Sequence, residues 1–224
     1  MKILVISSCT AKKKHKHINQ LIESDFINKT TLKEKEEKLK DISCIAKEMY
    51  TGNQHLNVVN GIESLRNYLS EDKIDFYIIS AGYGLINEDT IIAPYNVTFQ
   101  GKKLKDIKEL SRNLNINEDL QNIINEYDLV IVLLGIDYIK ALEPEKLKIN
   151  TKTIFFAPKT VKKVIPCKEN IFIIEAGEEQ RKKQGCMAID LKGVMFNVLV
   201  KSMIKNELSF RDIIKNPMLI DKLI

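Results

Sequence analysis

A mostly parallel, doubly wound α/β sheet of about five strands with helices on both faces is the fold this sequence predicts. Three observations carry that expectation. Five short runs rich in Ile, Val and Phe recur along the chain, apolar almost without interruption, as strands buried on both faces are. Segments with helical spacing lie between them. The 224 residues hold neither an internal repeat nor a low-complexity linker, so one α/β domain over 1–224 is expected, with a helical segment from about 187 to 224 packing on it.

The first run is Lys2–Ile6. Residues 29–40 (KTTLKEKEEKLK) are almost wholly charged and read as a solvated helix face or mobile loop. Ile42, Ile45, Ala46 and Met49 begin a helical stripe, after which Gly52 reads as a C-terminal cap. Ile62, Leu65 and Leu69 form a second stripe, followed by the strand Asp75–Ile79. Residues 87–103, with Pro94 and Gly101, read as a long loop of the kind that more often serves function than simple connection. Leu120, Ile123 and Ile124 place a helix before the strand Tyr127–Leu134; Thr153–Ala157 and Asn170–Glu175 are the last two strands. From Met187 to Ile204, Ile189, Val194, Phe196, Val198, Leu199 and Met203 make a helix that packs on the sheet.

Composition narrows the class. Hydrophobic residues are 44% and charged residues 29%, which excludes disordered, collagenous and fibrous chains. The longest apolar candidate, Leu129 to Gly135, is strand-sized, so no membrane partner is expected. Residues 1–20 do not read as a secretory signal, because Ile3–Ile6 runs into Lys12, Lys13 and Lys14. Cys9, Cys44, Cys167 and Cys186 show no CxxC pairing, so neither a zinc site nor a disulfide framework is indicated, and a reducing cytoplasm is the expected location. Thirty-five basic residues against 30 acidic give a net charge of +5, which permits a polyanionic partner without requiring one.

In an open parallel sheet, ligands bind beyond the carboxyl ends of the strands. Small, polar and cationic residues gather there: Ser7-Ser8-Cys9-Thr10 with Lys12 and Lys13, Ser80-Ala81-Gly82-Tyr83-Gly84, Gly135-Ile136-Asp137-Tyr138, Ala157-Pro158-Lys159 and Glu175-Ala176-Gly177. Cys9 reads either as a small buried hydrophobe or as a thiol whose anionic form is favoured by the cations beside it. The same turn could cradle a phosphate or carboxylate, although it lacks the spacing of a P-loop. The glycines around Tyr83 allow close backbone approach, and Tyr83 offers a flat face to a base; the alternative is a tight turn with a packing tyrosine. His55 reads as an ordinary surface or core histidine, and His15 and His17 as solvated. Asp89 and Glu88 are the loop carboxylates next to that turn. No HExxH, GxSxG or metal-binding cluster is present, and no cofactor is expected.

At these residues the chain resembles a known superfamily. Tyr50-Thr51-Gly52, Ser80-Ala81-Gly82-Tyr83-Gly84-Leu85 and Ile92-Ala93-Pro94-Tyr95 look like the YTG, SGLYG and PY signatures of YaaA-type peroxide-stress proteins, and Lys192-Gly193 is similar to their late K-G element. The opening Cys9-Thr10-Ala11-Lys12-Lys13 is closer to a related group of CS-x-x-K domains. A further relative is the lysine-transferring domain of archaeosine synthase, whose PC-x-x-x-KPY signature is matched by Cys9 and Lys13 but not by Lys14 and His15, where it has Pro and Tyr. The resemblance implies an α/β fold, a cleft built by the motifs, and substrates among nucleobases, modified nucleosides or nucleic acids.

The expectation is therefore an enzyme acting on a nucleobase-like ligand. Cys9 would be nucleophile or donor and Asp89 the acid/base. Ser8, Thr10 and Lys13 would hold an anionic or carbonyl group, while Tyr83 and Tyr95 stack or hydrogen-bond the base. Tyr50, Thr51, Gly52, Ser80, Gly82, Gly84, Pro94, Gly135, Tyr138, Lys192 and Gly193 complete the binding set. The alternatives are a non-enzymatic DNA- or RNA-binding protein of oxidative-stress defence and a nucleotide-like ligand sensor.

Overall fold

Strand β1 (Lys2–Ser8) is inside the sheet, and every residue from Ile3 to Ser8 is buried. A computed structural model gives the structure, which describes residues 1–69 and 72–224. The other strands are β2 (Cys44–Ile45), β3 (Lys73–Ser80), β4 (Gly84–Asn87), β5 (Ile91–Ile92), β6 (Leu129–Leu133), β7 (Lys152–Ala157) and β8 (Ile171–Glu175). The helices are α1 (Lys29–Lys38), α2 (Ala46–Met49), α3 (Asn53–Tyr68), α4 (Leu104–Asn113), α5 (Ile116–Ile124), α6 (Ile136–Leu142), α7 (Glu178–Gln184), α8 (Leu191–Ile204) and α9 (Phe210–Lys215).

Six strands form the main sheet in the order β4-β3-β1-β6-β7-β8. β1 runs parallel to β3 on one side (Ser8 opposite Ile79) and to β6 on the other (Ser7 opposite Leu133). β7 and β8 continue in parallel, and only β4 is antiparallel, turning back on β3. All five residues of β6 are buried, as a strand covered on both faces requires. α3 packs on α8, while α4, α5 and α6 pack on one another. The fold is thus α/β with a mostly parallel sheet, and the five apolar runs are its five parallel strands.

Four expectations need correction. The sheet has six strands, because the hairpin strand β4 lies just past the glycine-tyrosine turn, and part of the loop expected over 87–103 is β5, paired with β2. The stripe from Ile42 to Met49 supports only the four-residue α2 beside the two-residue β2. Gly52 caps no helix C-terminus: it is the extended N-cap residue of α3, so the chain enters a helix where the sequence predicts that it leaves one. The charged segment forms α1, which buries no residue and is therefore a solvated helix.

Candidate functional site

The chain leaves β1 for β3 on one side and resumes with β6 on the other, so the strand order reverses between β1 and β6. Beyond the carboxyl ends of these two strands, where open α/β sheets hold ligands, lies a cleft of about 430 Å³. Ser8, Cys9, Thr10 and Ala11 from the end of β1 and Gly135, Ile136, Asp137 and Tyr138 from the end of β6 form its floor. Thr98 and Gln100 make one wall; Gln54 of α3 with Ala188, Ile189 and Lys192 at the start of α8 makes the other.

Cys9 continues the β1–β3 pairing by donating its backbone N–H to Ile79 O at 3.0 Å, which fixes the side chain at the strand end. Its residue is 6% exposed, and its sulfur lies 3.0 Å from the Tyr138 hydroxyl. Behind it runs a chain of hydroxyls. Ser80 Oγ accepts from Gly82 N–H (3.2 Å) and Tyr83 N–H (2.9 Å), and donates to Tyr95 Oη at 2.8 Å. Tyr95 and Tyr50 share a hydrogen bond of 2.8 Å. Counting hydrogens, one tyrosine hydroxyl hydrogen is left over, and Cys9 is an ionisable neighbour of both rings. Burial, reinforced by the nearby Cys9, pushes the phenols of Tyr50, Tyr95 and Tyr138 well above their ordinary range, so all three keep their protons.

Lys13 lies against this layer, its Nζ 4.2 Å from the centre of the Tyr95 ring and donating to Thr10 O at 3.3 Å. Burial lowers its pKa, Cys9 opposes that shift and Lys16 adds to it. The turn after β1 is strapped to the segment before α3. Lys14 N–H donates to Met49 O (2.8 Å), Thr51 N–H to Lys12 O (3.1 Å), and Gly52 N–H to Thr10 Oγ1 (3.2 Å). A Cβ at Gly52 would come within 2.8 Å of Thr10, so a side chain there would force the strap open.

Of the expected site residues, Ser8, Cys9, Thr10, Gly135, Tyr138 and Lys192 line the cleft. Tyr50, Ser80, Tyr95 and Lys13 form the layer beneath, while Thr51 holds Lys12 and Gly52 holds Thr10. The rest are elsewhere. Tyr95 is 1% exposed, enclosed edge-on by Phe26, Tyr50 and Tyr83, so it presents no face to a base. The Tyr83 hydroxyl accepts from Ala93 N–H at 3.1 Å, and its ring packs on Phe26; the packing-turn alternative describes it. Gly82 gives room to Phe26, Pro94 O accepts from Leu21 N–H, and Gly193 lets α8 close on α3. Gly84 adopts φ +76° with Leu114 O only 2.6 Å from a Cβ position, a backbone constraint of the β3–β4 turn.

Asp89 is not in the cleft: its carboxylate, 68% exposed, faces Lys47 Nζ at 3.4 Å. Its neighbour Glu88 is buried and held by Arg66. His55 is a core residue whose Nε2 lies 2.9 Å from Lys47 O, and burial lowers its pKa. Gln54, Thr98, Gln100, Asp137 and Ile189 were not singled out as site residues. Thr98 and Gln100 lie in the loop expected to be functional, and Asp137 in the motif after β6, so position carried a signal that residue type did not. Among the described residues no cluster of His, Cys, Asp or Glu could hold a metal. Nor is any helix long and apolar enough to cross a membrane.

A family model described as a family of unknown function, DUF6884, matches residues 31–158. The match takes in Tyr50-Thr51-Gly52, the turn after β3, Pro94-Tyr95 and the floor residues Gly135 and Tyr138, and leaves Cys9 and Lys192 outside it. No curated protein matches the chain.

Proposed function

We propose, from the premise that the chain belongs to this family of unknown function, that the cleft is the active site of an enzyme acting on a nucleobase-like ring with Cys9 as its nucleophile. The observation that carries this reading is the position of the thiol. It sits on the floor of a cleft at the reversal of strand order, 3.0 Å from a phenol that burial keeps protonated. A buried cysteine in a core would be surrounded by hydrocarbon; this one has a hydroxyl, an ammonium and an open volume beside it.

The step available to such a group is addition. The sulfur forms a bond to a polarised ring carbon as the C=N or C=O π bond breaks. The thiol hydrogen ends on the ring nitrogen or oxygen, so no further reactant is consumed. Tyr138, within hydrogen-bond reach, hands the proton across. Ile136, Ala188 and Ile189 give the apolar surface a flat ring needs, and Gln54 gives a fixed carboxamide, its nitrogen donating to Leu133 O at 3.2 Å. The sheet is read as doubly wound: right-handed crossovers from β1 to β3 and from β6 to β7, in opposite directions across the sheet, carry α3 and α6 to opposite faces. The resemblance to the peroxide-stress superfamily and the CS-x-x-K domains supports a base-like substrate, and four free cysteines suit a reducing cytoplasm.

The test is turnover of a panel of nucleobases, nucleosides and nucleotides, with adducts on Cys9 followed by intact-protein mass spectrometry. Wild type should convert at least one class, and Cys9→Ser, folded to the same extent, should lose orders of magnitude in rate. Undiminished turnover in Cys9→Ser, or duplex binding that falls steeply with salt and no small-molecule turnover, would overturn it.

A further inference from the structure

Lys192 is the cation of the cleft wall. Its side chain is largely buried, and burial alone lowers its pKa. Among the described residues no carboxylate lies within ion-pair distance of its Nζ, nor of Lys13 beneath the floor, whereas Lys140 is paired with Asp137 (2.9 Å), Lys159 with Glu175 (2.8 Å) and Arg181 with Glu178 (2.5 Å). The one carboxylate among the lining residues, Asp137, is already engaged, with one oxygen on Lys140 and the other accepting from Gly101 N–H at 3.2 Å. A lysine held in a concave wall without a partner has given up water for nothing inside the protein.

The surroundings of Lys192 favour negative charge. It lies in the first turn of the 14-residue α8, and Gln54, in the same wall, lies in the first turn of the 16-residue α3. Neither first turn holds an acidic residue, and neither helix has a side-chain cap: Gly52 has no side chain to offer, and Asp190 makes no cap bond, accepting from Asn53 Nδ2 at 3.3 Å instead. The uncapped N-terminus of α3 thus lies beside one unpaired ammonium, while that of α8 has the Asp190 carboxylate, turned to Asn53, at its N-cap. The approach is rigid, because a Cβ on Gly193 would come within 2.5 Å of Gln54 O, and Asn197 Nδ2 donates to Asn57 Oδ1 at 2.9 Å. The first turn of α8 is therefore held against that of α3.

We infer that Lys192 is the specificity-determining residue of the cleft, and that it binds a phosphate group of the ligand. The inference rests on the same cleft being the substrate site and narrows the substrate from a free base to one carrying phosphate, either a mononucleotide or the end of a nucleic-acid strand.

The experiment uses inorganic pyrophosphate as its probe, measured by calorimetry on the full chain, and needs no turnover. Wild type and the exposed-lysine control Lys105→Met should bind it alike. Lys192→Met should bind it at least about tenfold more weakly, and Lys192→Arg should restore most of the affinity. Equal binding by wild type and Lys192→Met, or no binding by wild type, overturns the phosphate site whatever becomes of Cys9 chemistry. Failure of the Cys9 reading instead leaves pyrophosphate binding intact with no turnover. Nucleoside 5′-monophosphates and 5′-phosphorylated oligonucleotides, each against its dephosphorylated form, then identify the source: the pair whose difference vanishes in Lys192→Met is the ligand.

Discussion

Cys9 Sγ and the Tyr138 hydroxyl stand 3.0 Å apart across the cleft floor although 129 residues separate them in the chain. Replacing Tyr138 by Phe keeps the ring that packs on Phe99 and removes only the hydroxyl. The unfolding free energy should change by about 1 kcal/mol or less, while turnover should fall about a hundredfold if the phenol moves the proton. Urea denaturation beside steady-state rates makes the comparison.

The two loop carboxylates should behave oppositely. Glu88 is 6% exposed and chelated by Arg66 through contacts of 2.5 and 3.2 Å, with the guanidinium also donating to Ile74 O. Glu88→Gln leaves that guanidinium without its counter-ion and should cost about 2–3 kcal/mol, less than a fully buried pair because Arg66 is partly exposed. Asp89→Asn removes an exposed contact and should change stability by less than about 0.5 kcal/mol. It should also leave cleft chemistry untouched, and a rate loss in Asp89→Asn would return that residue to the mechanism.

Gly84 and Gly101 have nearly the same backbone, with φ of +76° and +78°, and different surroundings. An alanine at Gly101 meets nothing within 4 Å and should cost about 1 kcal/mol, the backbone penalty alone. At Gly84 the methyl would also strike Leu114 O, and a loss of about 3 kcal/mol or more is expected. Thermal melting of the two variants side by side separates strain from collision.

The segment between β1 and α1 should loosen in acid. Burial raises the pKa of Asp25, but the hydrogen bond from Lys35 (2.5 Å), the one from Ile22 N–H (2.9 Å) and the Lys35 charge together bring it below its ordinary value of 3.8. A depressed carboxylate pKa adds stability that is complete above the unfolded value and is lost as pH falls through the folded one. Amide exchange of residues 22–27, followed downward from about pH 5, should therefore accelerate only below about pH 4. In Lys35→Met that onset should move to higher pH.

The parallel strands were legible because burial on both faces demands unbroken runs such as Leu129–Leu133, a signal that needs no partner to read. β4 was not, since Gly84-Leu85-Ile86-Asn87 carries little β-propensity and is held by its pairing with Tyr77–Ser80. Gly52 misled because glycine serves at both ends of helices, and only the strap to Thr10 decides which end is meant. At the site, the segments were identifiable from their position at strand ends, but the layering was not. Whether Tyr95 faces a ligand or lies beneath Lys13 depends on Phe26 and Tyr83, residues distant enough in sequence that no spacing rule connects them. Asp89 and Glu88 are adjacent, and the alternation at the end of β4 sends one into the core and the other to solvent.

The cleft draws its floor from the first strand and one wall from α8, so the order of synthesis matters. Ile189 and Lys192 emerge from the ribosome about 180 residues after Cys9, a delay of roughly ten to forty seconds at ordinary elongation rates. Throughout that interval the nascent chain carries a roofless thiol beside an unfinished sheet. The cleft is therefore walled on the α8 side only after residues 188–192 have been made and have folded back onto the first strand.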